Sequence, residues 1–115
     1  LDQMIVASIE YAVLHVGVSL VMVMGHSQCG AVAATCNHEQ LEGHLPSLTF
    51  ALNPAFNEAK DQPGNLVENV TLANVNNVAK ELRQTGAHFP EMVEKGDLII
   101  VPAYYHIDTG KVELL

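Results

Sequence analysis

Apolar positions along this chain change their period several times, and each change predicts an element. Ile5, Ile9, Ala12, Val13 and Val16 recur at helical spacing while Gln3, Glu10 and His15 fall off the stripe, so the chain opens on an amphipathic helix. Gly17 supplies a residue able to take the left-handed conformation that closes it. Tyr11 is expected to pack against the core. The run Leu20-Val21-Met22-Val23-Met24 has no polar alternation and is too short for an ordinary helix, which predicts a strand buried on both faces of a parallel sheet. It gives way to Gly25-His26-Ser27-Gln28-Cys29-Gly30, and the Ala-rich sequence after Gly30 reads as the start of a helix.

Signals weaken over residues 37–65, where Gly43, Pro46, Pro54, Pro63 and Gly64 punctuate short apolar runs; short helices joined by turns are expected. Val67, Val70, Val78 and Leu82 then share one face of a helix over residues 66–85, ended by Gly86. Its Asn74, Asn76 and Asn77 are poor helix formers and predict a solvated or side-chain-bonded surface. Pro90 suits the first turn of a short helix that Gly96 terminates. Leu98-Ile99-Ile100-Val101 predicts a second buried parallel strand. Pro102 lacks a ladder donor and belongs at a strand end, a bulge or an edge. Asp108-Thr109-Gly110 marks a turn before a short returning strand.

Strands alternating with helices predict an α/β fold: a three-layer domain with a mainly parallel central sheet, residues 1–115 forming one domain. With 49% hydrophobic residues the chain is globular. A formal net charge of −8 and only five Lys+Arg exclude a nucleic-acid or anionic-membrane surface. The longest nearly apolar interval is half of the ~20 residues that a membrane span requires. No secretory pattern opens the chain, so a cytoplasmic location is expected. The first residue is Leu and helical periodicity begins almost at once, which points to a fragment or a processed chain.

The strand-to-helix junction is the one place with candidate chemistry. It sets His26 at the carboxyl end of a strand and Cys29 at the amino end of a helix, where open α/β sheets place their sites. Imidazole and thiolate both bind zinc, and two intervening residues let one loop aim both at one ion. Tetrahedral zinc takes three or four protein groups, so the pair is incomplete by itself. Cys36 follows Cys29 by seven residues; on one helix their Cα atoms would be about 10 Å apart, too far for a disulfide or a shared zinc. His38 and His44 stand in polar surroundings without companions at ligand spacing and are expected at the surface. The chain has no G-x-G-x-x-G, Walker loop, H-E-x-x-H or nucleophile elbow.

Three stretches share a likeness. Residues 8–18, the segment Val23-Met24-Gly25-His26-Ser27-Gln28-Cys29-Gly30-Ala31-Val32, and the closing Val101-Pro102-Ala103-Tyr104-Tyr105-His106-Ile107-Asp108-Thr109-Gly110-Lys111-Val112-Glu113-Leu114 resemble the β-class carbonic anhydrases, and Asn74-Val75 through Leu82-Arg83 is similar to a helix of that family. The resemblance implies zinc held by two Cys and one His, acting on carbon dioxide and bicarbonate in a homodimer or higher homo-oligomer. Carried over, His26 and Cys29 are zinc ligands, and Gly30 leaves room at the metal for a small linear substrate. The family's first Cys, and the Asp-Arg pair that controls the fourth zinc position, lie in an upstream Cys-x-Asp-x-Arg motif. Here no Cys precedes Cys29 and no Arg precedes Arg83, so no catalytic Asp-Arg pair is retained and the sheet is expected to be incomplete on its N-terminal side. His106, where many family members carry Asp, reads as a surface difference. The alternatives are a hydrolase of a CO2-like molecule, a non-catalytic zinc-binding or dimerisation module, and a metal-free anion site at the helix amino end.

Overall fold

A computed structural model describes all 115 residues. Helix α1 (Gln3–Tyr11) runs on into a π-helical turn (Ala12–Val16) and is followed by strand β1 (Leu20–His26). Four helices come next: α2 (Gly30–Cys36), α3 (Pro46–Ala59), α4 (Leu66–Arg83) and α5 (Phe89–Lys95). Strands β2 (Ile99–Tyr105) and β3 (Val112–Leu114) close the chain. Local chemistry sets several boundaries. Asp2 caps α1 by accepting from Ile5 N at 2.9 Å, and Asn65 caps α4 by accepting from Glu68 N at 2.9 Å. Gly17, at φ +86°, takes the left-handed turn out of the first helix.

The sheet order is β1-β2-β3, with β1 parallel to β2 from Leu20↔Ile99 to His26↔Tyr105 and β3 antiparallel to β2. This is the expected α/β fold with a mainly parallel sheet, and it is incomplete: β1 has no neighbour on its outer edge. Pro102 departs from expectation, because it lies inside β2, the central strand, opposite Val23. Its carbonyl accepts from Leu115 N at 3.0 Å, so its missing donor also faces the β3 side, where that short strand runs out, and the β1–β2 ladder loses nothing. Further down the same side, the Arg83 guanidinium of α4 donates to the Ile100 carbonyl, Nε at 3.0 Å, and satisfies it where β3 does not reach.

Helices gather on one face of the sheet. Val21, Val23 and Gly25 point toward α4, and a core of Val13, Ala79, Leu82, Phe89, Leu98 and Ile100 closes over them. A second cluster, with Val32, Leu52, Ala55, Ala59 and Val70, joins α2, α3 and α4. Strand alternation and register place Leu20, Met22, Met24, Ile99, Val101, Val112 and Leu114 on the opposite face. Most of these are exposed, Leu20 by 53% and Leu114 by 68%. The expectation that β1 is buried on both faces is therefore corrected: apolar residues fill both faces, but within this chain only one is covered. The first helix differs in the same way. Of its stripe only Val13 is buried, and Tyr11 lies exposed with its ring stacked on His15 at 5.3 Å.

The connection between α2 and α4 is also more regular than expected, one 14-residue helix with Pro54 inside it in place of several short ones. Its proline removes one backbone donor but leaves Leu52, Ala55 and Ala59 on a continuous buried face. No helix is long and apolar enough to cross a membrane.

Open surface shows in the dimensions. The radius of gyration is 15.3 Å, against about 13 Å for a compact domain of this length. Accessible area is 7426 Å², whereas mass scaling gives a compact chain of 12.4 kDa roughly 6,100 Å².

Candidate metal centre

His26 is the last residue of β1 and Cys29 the N-cap of α2, as the strand-to-helix junction predicts. Between them the chain reverses through Gln28, which adopts φ +55°, a left-handed conformation unusual for a residue with a Cβ. The Cys29 side chain makes no capping hydrogen bond to α2, so its sulfur is not engaged by the helix. His26 and Cys29 line one cleft of about 730 Å³ at the free edge of β1. Asn74 and Val75 of α4 and Leu48 and Phe50 of α3 form its other walls. Cys29 also borders a smaller pocket of about 490 Å³ with Ser27, Asn65, Glu68 and Tyr104. Burial, reinforced by Glu68, Glu113 and Asp108, pushes the Tyr104 hydroxyl up, which keeps it a proton donor there.

Three hydrogen bonds hold the loop. Ser27 N donates to Tyr105 O at 2.9 Å, extending the β1–β2 ladder by one residue. Ile107 N donates to Ser27 Oγ at 2.9 Å. His26 Nδ1 lies 2.9 Å from Ser27 O. Sequence reasoning passed over Ser27; its only signal was its place between the two donor residues. Gly25 was passed over too. A Cβ there would run into Val75 Cγ2 and come within 2.9 Å of Thr71 Cγ2, so glycine lets α4 lie close against the end of β1. Gly30 is different, since a Cβ at that position meets nothing within 4 Å.

The donors suit zinc in kind, a thiol and an imidazole from one short loop, but not in number. Nowhere in the chain do three or more His, Cys, Asp and Glu side chains converge as metal donors. Cys36 is a free, half-buried thiol on the α2–α3–α4 cluster, and burial pushes its pKa up, away from the thiolate a metal requires. His38 and His44 are exposed, the former edge-on to Phe56. His106 packs edge-on against Tyr104, with Nε2 3.2 Å from Glu113 Oε2. That contact is close enough for an ion pair but too poorly aligned for a hydrogen bond. The residues present thus fit half of a tetrahedral zinc donor set.

A family model described as carbonic anhydrase matches residues 1–112. A carbonic anhydrase of Mycolicibacterium smegmatis is 30% identical over 119 aligned residues, covering 99% of this chain and 57% of the relative. One from Helicobacter pylori is 29% identical, covering 93% of this chain and 53% of the relative. Among solved structures, a tetrameric β-carbonic anhydrase of Sordaria macrospora superposes with a TM-score of 0.86 at 25% identity, over 99% of this chain and 60% of the other. The β-carbonic anhydrase CafA of Aspergillus fumigatus gives 0.79 at 29% identity, over 99% and 56%. The chain thus spans little more than half the length of the relatives it matches.

Proposed function

Because the chain belongs to the carbonic anhydrase family, as a C-terminal portion of the β class, we propose that it supplies His26 and Cys29 as half the zinc site of an enzyme that interconverts carbon dioxide and bicarbonate. The observation that carries this reading is the pairing of His26 and Cys29 on one cleft at the unpaired edge of β1. A strand added at that edge would run beside His26 and bring its own side chains to the cleft. The remaining donors and the acid-base pair would come from such a segment. Bound zinc supplies a hydroxide nucleophile near neutral pH. This chain's part is to hold two donors, and Gly30, next to Cys29 and with open space where a Cβ would stand, would leave room beside them for a small substrate.

We further propose a homo-oligomer. Its support is the uncovered apolar sheet face, the surplus of accessible area, and the tetrameric state of the Sordaria macrospora relative.

Cobalt, a spectroscopic stand-in for zinc, tests the donor assignment on the 115-residue chain. A thiolate-to-cobalt absorption band should appear on titration, vanish in Cys29→Ser and persist in Cys36→Ser; the reverse pattern would overturn the assignment. With the further donors supplied, carbon dioxide hydration undiminished in Cys29→Ser would overturn the activity.

A further inference from the structure

We infer that Ser27 is a positioning residue, which fixes the neutral His26 ring as its Nδ1–H tautomer and presents Nε2 before any metal arrives. This rests on the reading of His26 as a metal donor. The Ser27 carbonyl is only an acceptor, so the 2.9 Å contact with His26 Nδ1 requires the proton on Nδ1. In the neutral ring that leaves the lone pair on Nε2. The acceptor is itself held. Ser27 N donates to Tyr105 O and Ser27 Oγ accepts from Ile107 N, both at 2.9 Å, so two groups at and just past the carboxyl end of β2 hold the residue whose carbonyl meets the imidazole. Ser27 is thereby tied to a segment 80 residues away in sequence, and the orientation of His26 depends on the turn after β2 as well as on its own loop.

The tautomer can be read without metal and without activity. In the 15N-labelled 115-residue chain at about pH 8, where a histidine of ordinary pKa is neutral, long-range 1H–15N spectra report which ring nitrogen carries the proton. The His26 signal is identified by its loss in His26→Gln. The expected result is protonated Nδ1 and bare Nε2 in the wild type and in Ser27→Thr. Ser27→Ala keeps the carbonyl but loses the Ile107 bond and should raise the Nε2–H form severalfold. Ile107→Pro removes the same bond from its other end and should do likewise, so one variant that fails to fold leaves the other to decide. A wild-type His26 protonated on Nε2, or a tautomer population unmoved by breaking the clamp, would overturn the inference. Either could happen while the cobalt band still tracked Cys29, which separates this failure from failure of the zinc reading.

Discussion

At the scale of single residues, two backbone positions near the candidate centre give opposite expectations. Gly25 has no room for a side chain against Val75 and Thr71. Gly25→Ala should therefore destabilise the fold by about 1–3 kcal/mol through overpacking, read as a drop of several degrees in Tm. Val75→Ala in the same chain should recover part of the loss, because the two sites are in contact. Gln28 sits at φ +55° and touches the matter differently: its side chain is tolerated there, but a β-branched one would not be. Gln28→Val should cost about 1–2 kcal/mol in urea unfolding, while Gln28→Gly leaves stability near or above that of the wild type.

Glu113 ties a residue to the pH dependence of the whole fold. His106 beside it, with Lys111 at 3.6 Å, holds its carboxyl below the ordinary value against a smaller opposing push from burial. A depressed folded-state pKa means that the contribution is present above the unfolded value and is lost as pH falls through the folded one. Wild type should therefore exceed Glu113→Gln in stability at pH 6, with the gap closing below about pH 4. A gap that widened on acidification would contradict this assignment.

At the scale of elements, legibility followed how local the cause is. The junction of β1 and α2 was readable because apolar run, glycine and Ala-rich start are all encoded within a dozen residues, and so were Gly17 and Gly96 at helix ends. The two prolines misled because their tolerance is tertiary. Pro102 is accepted in a central strand because β3 happens to stop beside it, and Pro54 because the buried face of α3 continues across it. Only Phe50 O of α3 is deprived of a helical donor by Pro54, since the bond it would receive is the one proline lacks. Pro54→Ala should consequently raise stability, by up to about 3 kcal/mol, seen as a higher urea midpoint at an unchanged slope. No change in midpoint would mean that the proline's fixed φ already offsets the lost bond.

At the scale of the molecule, hydrophobic pattern gave the composition of each face but not what covers it. The Leu20–Met24 run is apolar at every position, which is the pattern of a strand covered twice, yet the helices of this chain supply one cover only. The sequence thus carries the demand for a second layer without the layer itself. The surplus accessible area, about 1,300 Å² over a compact chain of this mass, exceeds the roughly 800 Å² that each partner contributes to a standard protein interface. The bare sheet face exposes Leu20, Met22, Met24, Ile99, Val112 and Leu114 together, and a contiguous apolar surface drives association. The 115-residue chain by itself should sediment as more than a monomer at tens of micromolar. Met22 and Met24 lie on the bare face and outside both core clusters, so replacing both by Glu should shift the chain toward monomer without lowering its Tm. A monodisperse wild-type monomer would show that this face is tolerated in water and would remove the main support for a homo-oligomer. If the double variant instead associates as strongly as the wild type, the contact lies elsewhere, and the exposed side of α1 around Met4, Ile5 and Tyr11 becomes the surface to substitute next.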